Sequence, residues 1–329
     1  MNNKYCILTL DTEGDNLWKV RNSDWSIARI GNRNGEYLER FQILCEKYGL
    51  IPTYLVDYEM SLSAPLINMA ERHREGLEIG MHMHAWNNPP ICSLPDRYGG
   101  HKPYIGEYPK EIQKQKVEYI TRHLEDTFQR PIRSHRGGRW YIDPVYINIL
   151  HEYGYTADCT VTPGIDWTYN SGQCENSKGI DYRKAPRGIY ELSELDVSKK
   201  GNAGILEIPV TTLKKQRKLS QRMSHMDLWH RGSGNSEYFW LRPDGNNIKS
   251  MKSIVDDREK RNEYLEFMIH SSELMPGGSP TFKTNASIER LYKDLEELFS
   301  YIKSKGYKAA GLSEYARIIS EQDKDGAGA

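Results

Sequence analysis

The most informative segment of this chain is an apolar run that ends in acidic residues, Thr9-Leu10-Asp11-Thr12-Glu13-Gly14-Asp15. Side chains alternate along a strand, so Asp11 and Glu13 point to the same side if the extended geometry persists. The carboxyl ends of parallel strands are where α/β barrels carry their functional groups. The segment therefore predicts either two carboxylates that act together or a polar strand exit at which Asp11 or Thr12 caps the next element.

Outward from this segment, short apolar runs alternate with longer amphipathic ones, as in βα units around a parallel sheet or barrel. We predict strands at Tyr5–Leu10, Ile51–Val56, Leu77–Gly80, Ile132–His135, Tyr155–Cys159, Gly204–Val210, Leu265–Ile269 and Tyr307–Ala310. Apolar residues at helical spacing predict helices at Tyr37–Tyr48, Lys110–Phe128 and Ile288–Lys303. Glycines that supply a left-handed helix cap are predicted at Gly49, Gly154 and Gly306. The fold class is therefore α/β.

Two long polar segments interrupt this alternation, Val161–Asn202 and Thr211–Arg261. Loops of such length inside a compact domain usually have a function or local order of their own. We interpret both as strand-end loops on the substrate side of one domain that spans residues 1–320. Residues 321–329 are charged and then rich in glycine and alanine, which predicts a disordered tail.

Composition argues against several classes of protein. The chain has 45 basic and 45 acidic side chains, so a general nucleic-acid binder is not expected. A local basic run at 214–222 is either a solvated face or a contact for an anionic carrier or substrate. No stretch approaches the ~18 apolar residues of a membrane span, and residues 1–4 lack the features of a secretory leader. Five scattered cysteines without a CxxC spacing favour a cytoplasmic protein.

A second informative segment ends another predicted strand, Glu78-Ile79-Gly80-Met81-His82-Met83-His84-Ala85-Trp86. Two histidines at this spacing can converge on one ion, since neutral imidazole is the commonest metal ligand in proteins. Such a pair also occurs on strands that bind no metal. Trp86 is either one wall of a sugar-stacking site or ordinary core packing.

A third segment brings an arginine to a strand end, Ser134-His135-Arg136-Gly137-Gly138-Arg139-Trp140. An arginine beside Asp11 would hold that carboxylate ionised and oriented. The two glycines let the backbone approach a ligand closely. The alternative is a surface arginine on a turn.

The fourth candidate is His270, which ends the apolar run Phe267-Met268-Ile269. A histidine here is a candidate general acid because it can protonate a departing amine near neutral pH. Asp158, at the end of another predicted strand, is a candidate partner that orients it. A single histidine at a strand end is also common as a structural residue.

This ordered set of strand-end residues resembles the polysaccharide deacetylase superfamily, carbohydrate esterases that include chitin and peptidoglycan deacetylases. The resemblance extends from Thr9 to about Arg317. It implies a distorted (β/α)7 barrel with long strand-end loops, and substrate in a groove at the strand ends. It implies that Asp11 is the general base, that His270 is the general acid, and that Glu13 and His82 are metal ligands. Arg136 matches the family's arginine motif, with a main-chain N–H near Arg139 completing the oxyanion site. Asp158 falls where the family places an acid on a later strand.

Three departures from the family pattern affect this reading. Thr12 separates the two acids, as in a subgroup found among surface-polysaccharide biosynthesis proteins. The second metal histidine usually lies four residues after the first, where this chain has Trp86, so His84 is the expected substitute. Met268 replaces a leucine two residues before the last histidine. The substrate contacts are predicted to be Trp86, Arg139, Trp140 and Arg242. By the same likeness, Arg242 is expected to meet a substrate or a carboxylate.

The sequence thus predicts a hydrolase that removes an acetyl or formyl group from an amino sugar of a surface-polysaccharide precursor. The resemblance implies a divalent ion, expected to be Zn²⁺, and a sugar or glycan as substrate. Two alternatives remain open. The same site would also suit hydrolysis of an amide that is not a sugar. A retired deacetylase scaffold that binds sugar or assists assembly would explain the replacement at Trp86. The sequence leaves the oligomeric state open.

Overall fold

A parallel β-sheet forms the centre of the computed structural model, which describes residues 4–17, 30–92, 102–214 and 238–327. The strands are β1 Tyr5–Thr12, β2 Pro52–Val56, β3 Glu78–Met83, β4 Ser134–Gly137, β5 Ala157–Asp158, β6 Tyr190–Glu191, β7 Leu206–Glu207, β8 Thr212–Lys214, β9 Tyr238–Trp240, β10 Leu265–His270 and β11 Lys308–Ala309. Their order in the main sheet is β10-β1-β2-β3-β4-β5-β7, with β6 antiparallel at the edge and β11 on β1.

The sheet curls until its two ends meet. The amide of Thr211, four residues after β7 ends, donates to the carbonyl oxygen of Glu266 in β10 at 3.2 Å. The amide of Glu266 donates in return to Oγ1 of Thr211 at 2.8 Å. Within the described residues, seven parallel strands, from β10 through β7 in the order above, make up this curled sheet. The predicted distorted (β/α) barrel is confirmed, and its distortion is visible in strands of eight residues (β1) and two residues (β5).

Strand β1 lies in the middle of the barrel and is buried on both faces from Cys6 to Thr12. Parallel strands covered on both faces need nearly continuous apolar sequence, and Cys6–Leu8 supplies it. The polar residues that follow are buried as well, so each requires a partner inside the barrel. Those partners make the site described below.

Helices surround the sheet: α1 Leu38–Tyr48, α2 Tyr58–Ser61, α3 Ala64–Arg72, α4 Lys110–Phe128, α5 Pro144–Glu152, α6 Ile248–Arg261, α7 Asn285–Ser304 and α8 Leu312–Ala327. Each long helix buries one apolar stripe against the sheet or a neighbour. Phe41 of α1, for example, meets Phe299 of α7 edge to face at 6.2 Å between ring centroids. Such a pair adds about 0.5–1.5 kcal/mol to the free energy of unfolding beyond area burial.

The predicted strands and helices are confirmed, with boundaries shifted by a few residues. All eight predicted strands overlap an observed one, and Lys110–Phe128 is the observed extent of α4. The three predicted cap glycines have left-handed backbones, with φ of 70° at Gly49, 82° at Gly154 and 76° at Gly306. The amphipathic periodicity and the cap residues were therefore sufficient to locate these elements.

Two predictions need correction. The segment Thr211–Arg261 is more than a long loop, because it contains β8, β9 and α6, whose apolar stripe includes Ile254 and Val255. Helix α8 continues through Ala327, where the sequence predicted a disordered tail from residue 321. An ion pair one turn apart, between Arg317 and Glu321 at 2.8 Å, favours this continuation. The basic run at 214–222 lies outside the described residues except for its first lysine.

None of the helices in the described part of the chain combines the length and the apolar character needed to cross a membrane.

Candidate active site

A cavity of about 300 Å³ opens at the carboxyl ends of the parallel strands. Its walls come from β1, β3, β4, β10 and the loops that follow them, where barrel folds place functional residues. The residues that line it are Asp11, Glu13, Leu17, His82, His84, Trp86, Gly137, Arg139, Trp140, Trp167, Arg242 and His270. Nine of the eleven side chains predicted to form the site therefore share one cavity: Asp11, Glu13, His82, His84, Trp86, Arg139, Trp140, Arg242 and His270.

Strand register brings these distant residues together. Asp11 in β1 is aligned with His270 in β10, and His82 in β3 is aligned with Arg136 in β4. The nearest atoms of Asp11 and His270, Oδ2 and Nε2, are 3.6 Å apart. Because parallel strands in register end at the same level, the polar residue that ends each strand enters the same space.

Arg136 lies directly behind Asp11 and is completely buried. Its Nη1 donates to Oδ1 of Asp11 at 2.5 Å, and its Nη2 donates to Oε1 of Glu266 at 2.6 Å. Its Nε donates to the carbonyl oxygen of Cys159 at 3.0 Å. Burial raises the pKa of the Asp11 carboxyl, but the charges of Arg136, His82 and His270 outweigh burial and leave that pKa below its usual value. The arginine therefore keeps Asp11 ionised and fixes its direction.

Glu13, His82 and His84 form a second group at the floor of the cavity, with candidate ligand atoms all within 4.8 Å of one another. Oε2 of Glu13 is 2.8 Å from Nε2 of His84 and 3.4 Å from Nε2 of His82. Nδ1 of His82 lies 3.0 Å from the carbonyl oxygen of Arg136. A carbonyl only accepts, so Nδ1 donates to it and Nε2 is the ring nitrogen that faces Glu13. A hydrogen bond of this kind on the far nitrogen is the usual outer support of a metal-binding histidine.

The electrostatics of this group favour a cation. Burial raises the pKa of Glu13, but His270, His82 and His84 reverse the effect and hold that pKa well below its usual value. Burial dominates at His84 and lowers its pKa, so its imidazole is neutral and able to bind a metal. Two imidazoles and one carboxylate with space beside them are the ligand set of catalytic zinc sites. The residues present therefore fit a divalent ion of this kind.

Ring packing and one contact to Glu13, 2.8 Å from Nε2, orient His84. Its ring centroid lies 4.7 Å from that of His82 and 4.3 Å from that of Trp86. Nδ1 of His84 is buried and has no hydrogen-bond partner among the described residues. Trp86 occupies the position where the family pattern has a second histidine, and here its indole supports the substitute.

The turn after β4 has an unusual backbone. Arg139 and Trp140 both have φ of 57°, in the left-handed region that bulky residues rarely adopt. A side chain on Gly138 would place its Cβ 2.4 Å from the carbonyl oxygen of Met83 and 2.7 Å from Nδ1 of His84. Such strain persists only where the surroundings enforce it, and it is common at functional sites. Gly137, Arg139 and Trp140 of this turn line the cavity.

Aromatic rings form one side of the cavity. The rings of Trp140 and Trp167 stack with an interplanar angle of 10° and centroids 6.2 Å apart. Trp240 meets Trp140 edge-on at 5.6 Å. Trp167 belongs to the long loop Val161–Asn202 and lines the cavity. Flat aromatic surfaces beside polar groups suit a sugar ring, which has apolar faces and polar edges.

Comparisons with known proteins were made with the sequence and with the fold. The sequence matches no protein-family model and no curated protein. The fold is similar to that of a Mycobacterium smegmatis protein assigned as a polysaccharide deacetylase, with a TM-score of 0.57 and 12% identity over 98% of this chain and 92% of that one. This chain has the fold of the polysaccharide deacetylases. A 4-alpha-glucanotransferase from Thermococcus litoralis is also similar, with a TM-score of 0.52 and 13% identity over 96% of this chain and 40% of that one.

A glycosyl-transferring enzyme and an assigned deacetylase thus share this deacetylase fold. The fold therefore does not decide the reaction, which has to be argued from the side chains of the site.

Asp158 does not make the contact with His270 that the sequence predicted. It is fully buried and bonds to His135, with Oδ2 2.5 Å from Nδ1, and not to His270. Its carboxylate also accepts from the amide and hydroxyl of Thr160. The prediction that Asp158 orients His270 is wrong, because β5 aligns Asp158 with His135, beneath the cavity.

Besides Leu17, three side chains at the site were not predicted. Glu266 binds Arg136, Glu273 binds His270, and Trp167 lines the cavity. Glu266 could have been found, since it is a charged residue within the otherwise apolar run Leu265–Ile269, and a buried charge needs a partner. Glu273 and Trp167 follow no pattern in the sequence, because turns after strands bring them to the site.

Proposed function

We propose that this chain is a metal-dependent N-deacetylase that hydrolyses an acetyl or formyl group from an amino sugar. The observation that supports it is the pairing of a Glu-His-His group, Glu13 with His82 and His84, with a separate carboxylate that is kept ionised, Asp11. Amide hydrolysis needs an electrophilic site for the acyl oxygen, a base for water and an acid for the amine. The cavity offers a candidate for each.

Asp11 is the proposed general base. Arg136 occupies its Oδ1, so Oδ2 is the oxygen that accepts the proton of the attacking water. Main-chain N–H groups of the strained turn at Arg139 and Trp140 stabilise the negative charge that develops on the acyl oxygen. A divalent ion bound by Glu13, His82 and His84, proposed to be Zn²⁺, would add Lewis-acid polarisation and lower the pKa of water.

His270 is the proposed general acid. Its Nε2 lies 3.6 Å from Oδ2 of Asp11 and 3.8 Å from Oε1 of Glu13, and both His270 and the turn after β4 line the cavity. A substrate amide between these groups places its nitrogen beside His270 and its carbonyl beside the turn. Nε2 of His270 then donates a proton to the sugar amine as acetate or formate leaves.

The proposed substrate is a surface-polysaccharide precursor. The tryptophan wall of Trp140 and Trp167 suits the face of a sugar, and the motif resemblance indicates the biosynthetic context. All five cysteines are free thiols in the structure, which suits the cytoplasm, where such precursors would be met.

The test is a substrate screen with zinc-loaded protein. N-acetylated and N-formylated amino sugars, free and nucleotide-linked, are compared with linear and cyclic amides of purine breakdown. We expect equal amounts of free amine and carboxylic acid from an amino sugar only, and loss of both with Asp11→Asn. Hydrolysis of the purine amides alone would favour the alternative substrate class. A protein that binds no metal and gains no thermal stability from zinc would favour a retired scaffold.

A further inference from the structure

The side chain that holds His270 comes from the turn directly after it. His270 ends β10, and residues 271–274 form one turn of 3-10 helix. Glu273 lies in this turn with its side chain 2% exposed, so it is as deeply buried as the catalytic groups around it. A buried carboxylate needs hydrogen-bond donors, and the donors here belong to His270 and Arg242.

One oxygen of Glu273 serves His270 alone. Oε2 accepts from the main-chain N–H of His270 at 2.9 Å and lies 3.2 Å from Nδ1 of its imidazole. The two contacts fix both the backbone and the ring of the same residue. The other ring nitrogen, Nε2, is left facing Asp11 and Glu13.

The other oxygen of Glu273 is held by an arginine from a distant segment. Nη2 of Arg242 donates to Oε1 at 3.1 Å and lies 3.1 Å from Nδ1 of His270. Burial raises the pKa of Glu273, but Arg242 and His270 outweigh burial and lower it to about 2, so the carboxyl is ionised. An ionised carboxylate only accepts hydrogen bonds and a guanidinium only donates them, so Nδ1 of His270 carries a proton when it bonds to Glu273 and none when it bonds to Arg242.

We propose that Glu273, anchored by Arg242, is the positioning residue of His270: it holds a proton on Nδ1 and leaves Nε2 as the atom that exchanges protons with the substrate. This inference rests on the proposed function of His270 as general acid. Asp158, the residue expected in this role, is engaged by His135 instead. Arg242, predicted to meet a substrate or a carboxylate, bonds to the carboxylate of Glu273.

A hydrogen bond from Nδ1 to Glu273 is charge-assisted, because the acceptor is an ionised carboxylate. A glutamine in the same place still accepts from the main-chain N–H but supplies no charge. Glu273→Gln thus separates the electrostatic role of Glu273 from its role in shaping the turn.

The first experiment needs no substrate. Zinc-loaded protein with ¹⁵N-labelled histidine is studied by NMR, with His270 assigned from the spectrum of His270→Gln. The ¹⁵N shifts distinguish protonated from unprotonated ring nitrogens. We expect neutral His270 to carry its proton on Nδ1. A proton on Nε2, with Arg242 donating to Nδ1, would overturn the proposal whether or not a substrate is known.

The second experiment compares kinetics. Glu273→Gln is expected to lower kcat roughly 10- to 100-fold, the usual cost of losing a supporting partner, and to leave KM and zinc content unchanged. Its NMR spectrum should show part of neutral His270 with the proton on Nε2. The matched control is Glu289→Gln, which removes a glutamate bound to Arg40 on the surface. It should change neither kcat nor the ¹⁵N shifts of His270. A Glu273→Gln protein with unchanged kcat and unchanged His270 shifts would refute the positioning role while the proposed function stands.

Discussion

Nη1 of Arg136 lies 2.5 Å from Oδ1 of Asp11, and neither side chain exposes more than 3% of its surface. The pair crosses the barrel from β4 to β1, and a third buried group, Glu266 of β10, shares the same guanidinium at 2.6 Å. One arginine therefore neutralises two carboxylates from adjacent strands. The reactive carboxylate and the stability of the barrel depend on the same side chain.

We predict that Arg136→Met destabilises the fold strongly. Removing one partner of a buried ion pair leaves uncompensated charge, which costs about 3–5 kcal/mol. Here Asp11 and Glu266 would both lose their counter-ion. Urea denaturation at neutral pH measures the loss, and the added variant Glu266→Gln should recover part of it because one of the two orphaned charges is then absent. Simple additivity of the two substitutions would contradict the shared ion pair.

We predict a distinct pH dependence of stability for Glu266→Gln. Burial raises the pKa of Glu266 to about 7, against the opposing effect of Arg136. A raised pKa means that the folded state binds the proton more tightly than the unfolded state. The stability that this carboxyl contributes is thus present below its unfolded pKa of about 4.3 and is lost as pH rises through about 7.

The measurement is the difference in free energy of unfolding between wild type and Glu266→Gln at several pH values. We expect the wild type to lose stability relative to the variant between about pH 4.5 and 7. A difference that does not change over this range would show that Glu266 stays ionised throughout.

We predict that Asp11→Asn loses activity and keeps its fold. An amide cannot take a proton from water, so turnover should fall by roughly 10²–10⁴-fold, the usual worth of a positioned base. The matched control is Asp181→Asn, which removes a carboxylate paired with Arg183 at the surface. Full activity of a correctly folded, metal-loaded Asp11→Asn protein would remove Asp11 from the mechanism.

We predict that His84→Ala weakens zinc binding at least as much as His82→Ala. The sequence left His84 in doubt as a ligand, but its Nε2 lies closer to Oε2 of Glu13, at 2.8 Å, than that of His82, at 3.4 Å. Competition with a chelator gives the affinity. His73→Ala is the matched control, because His73 also contacts a glutamate, Glu46, but at the surface. Unchanged zinc affinity in His84→Ala would leave the group with two ligands.

We predict that Gly138→Ala lowers activity about 100-fold, the cost of a displacement near 1 Å in a catalytic site. The new Cβ would lie 2.4 Å from the carbonyl oxygen of Met83 and 2.7 Å from Nδ1 of His84, so the turn and the ligand have to move apart. Gly188→Ala is the control, since no atom lies within 4 Å of a Cβ there. Equal activity of both variants would show that the turn adapts without affecting the site.

The side chains of the candidate site could be predicted because each comes at the end of an apolar run. Asp11, His82, Arg136 and His270 all follow strands whose composition is evident, and strand ends in a parallel barrel share one level. The carboxylates that bond to the histidines could not be predicted in the same way. Glu273 reaches His270 by a turn, and Asp158 is engaged by His135 through the register of β4 with β5.

The amino-acid sequence by itself determined the α/β class, the strands and the acids and imidazoles at their ends, because periodicity and burial act locally along the chain. Only the tertiary structure decided which groups touch: that Arg136 serves both Asp11 and Glu266, and that Glu273, not Asp158, holds His270. The physical reason is distance. A hydrogen bond depends on a few tenths of an ångström, and the curl of the whole sheet sets those separations.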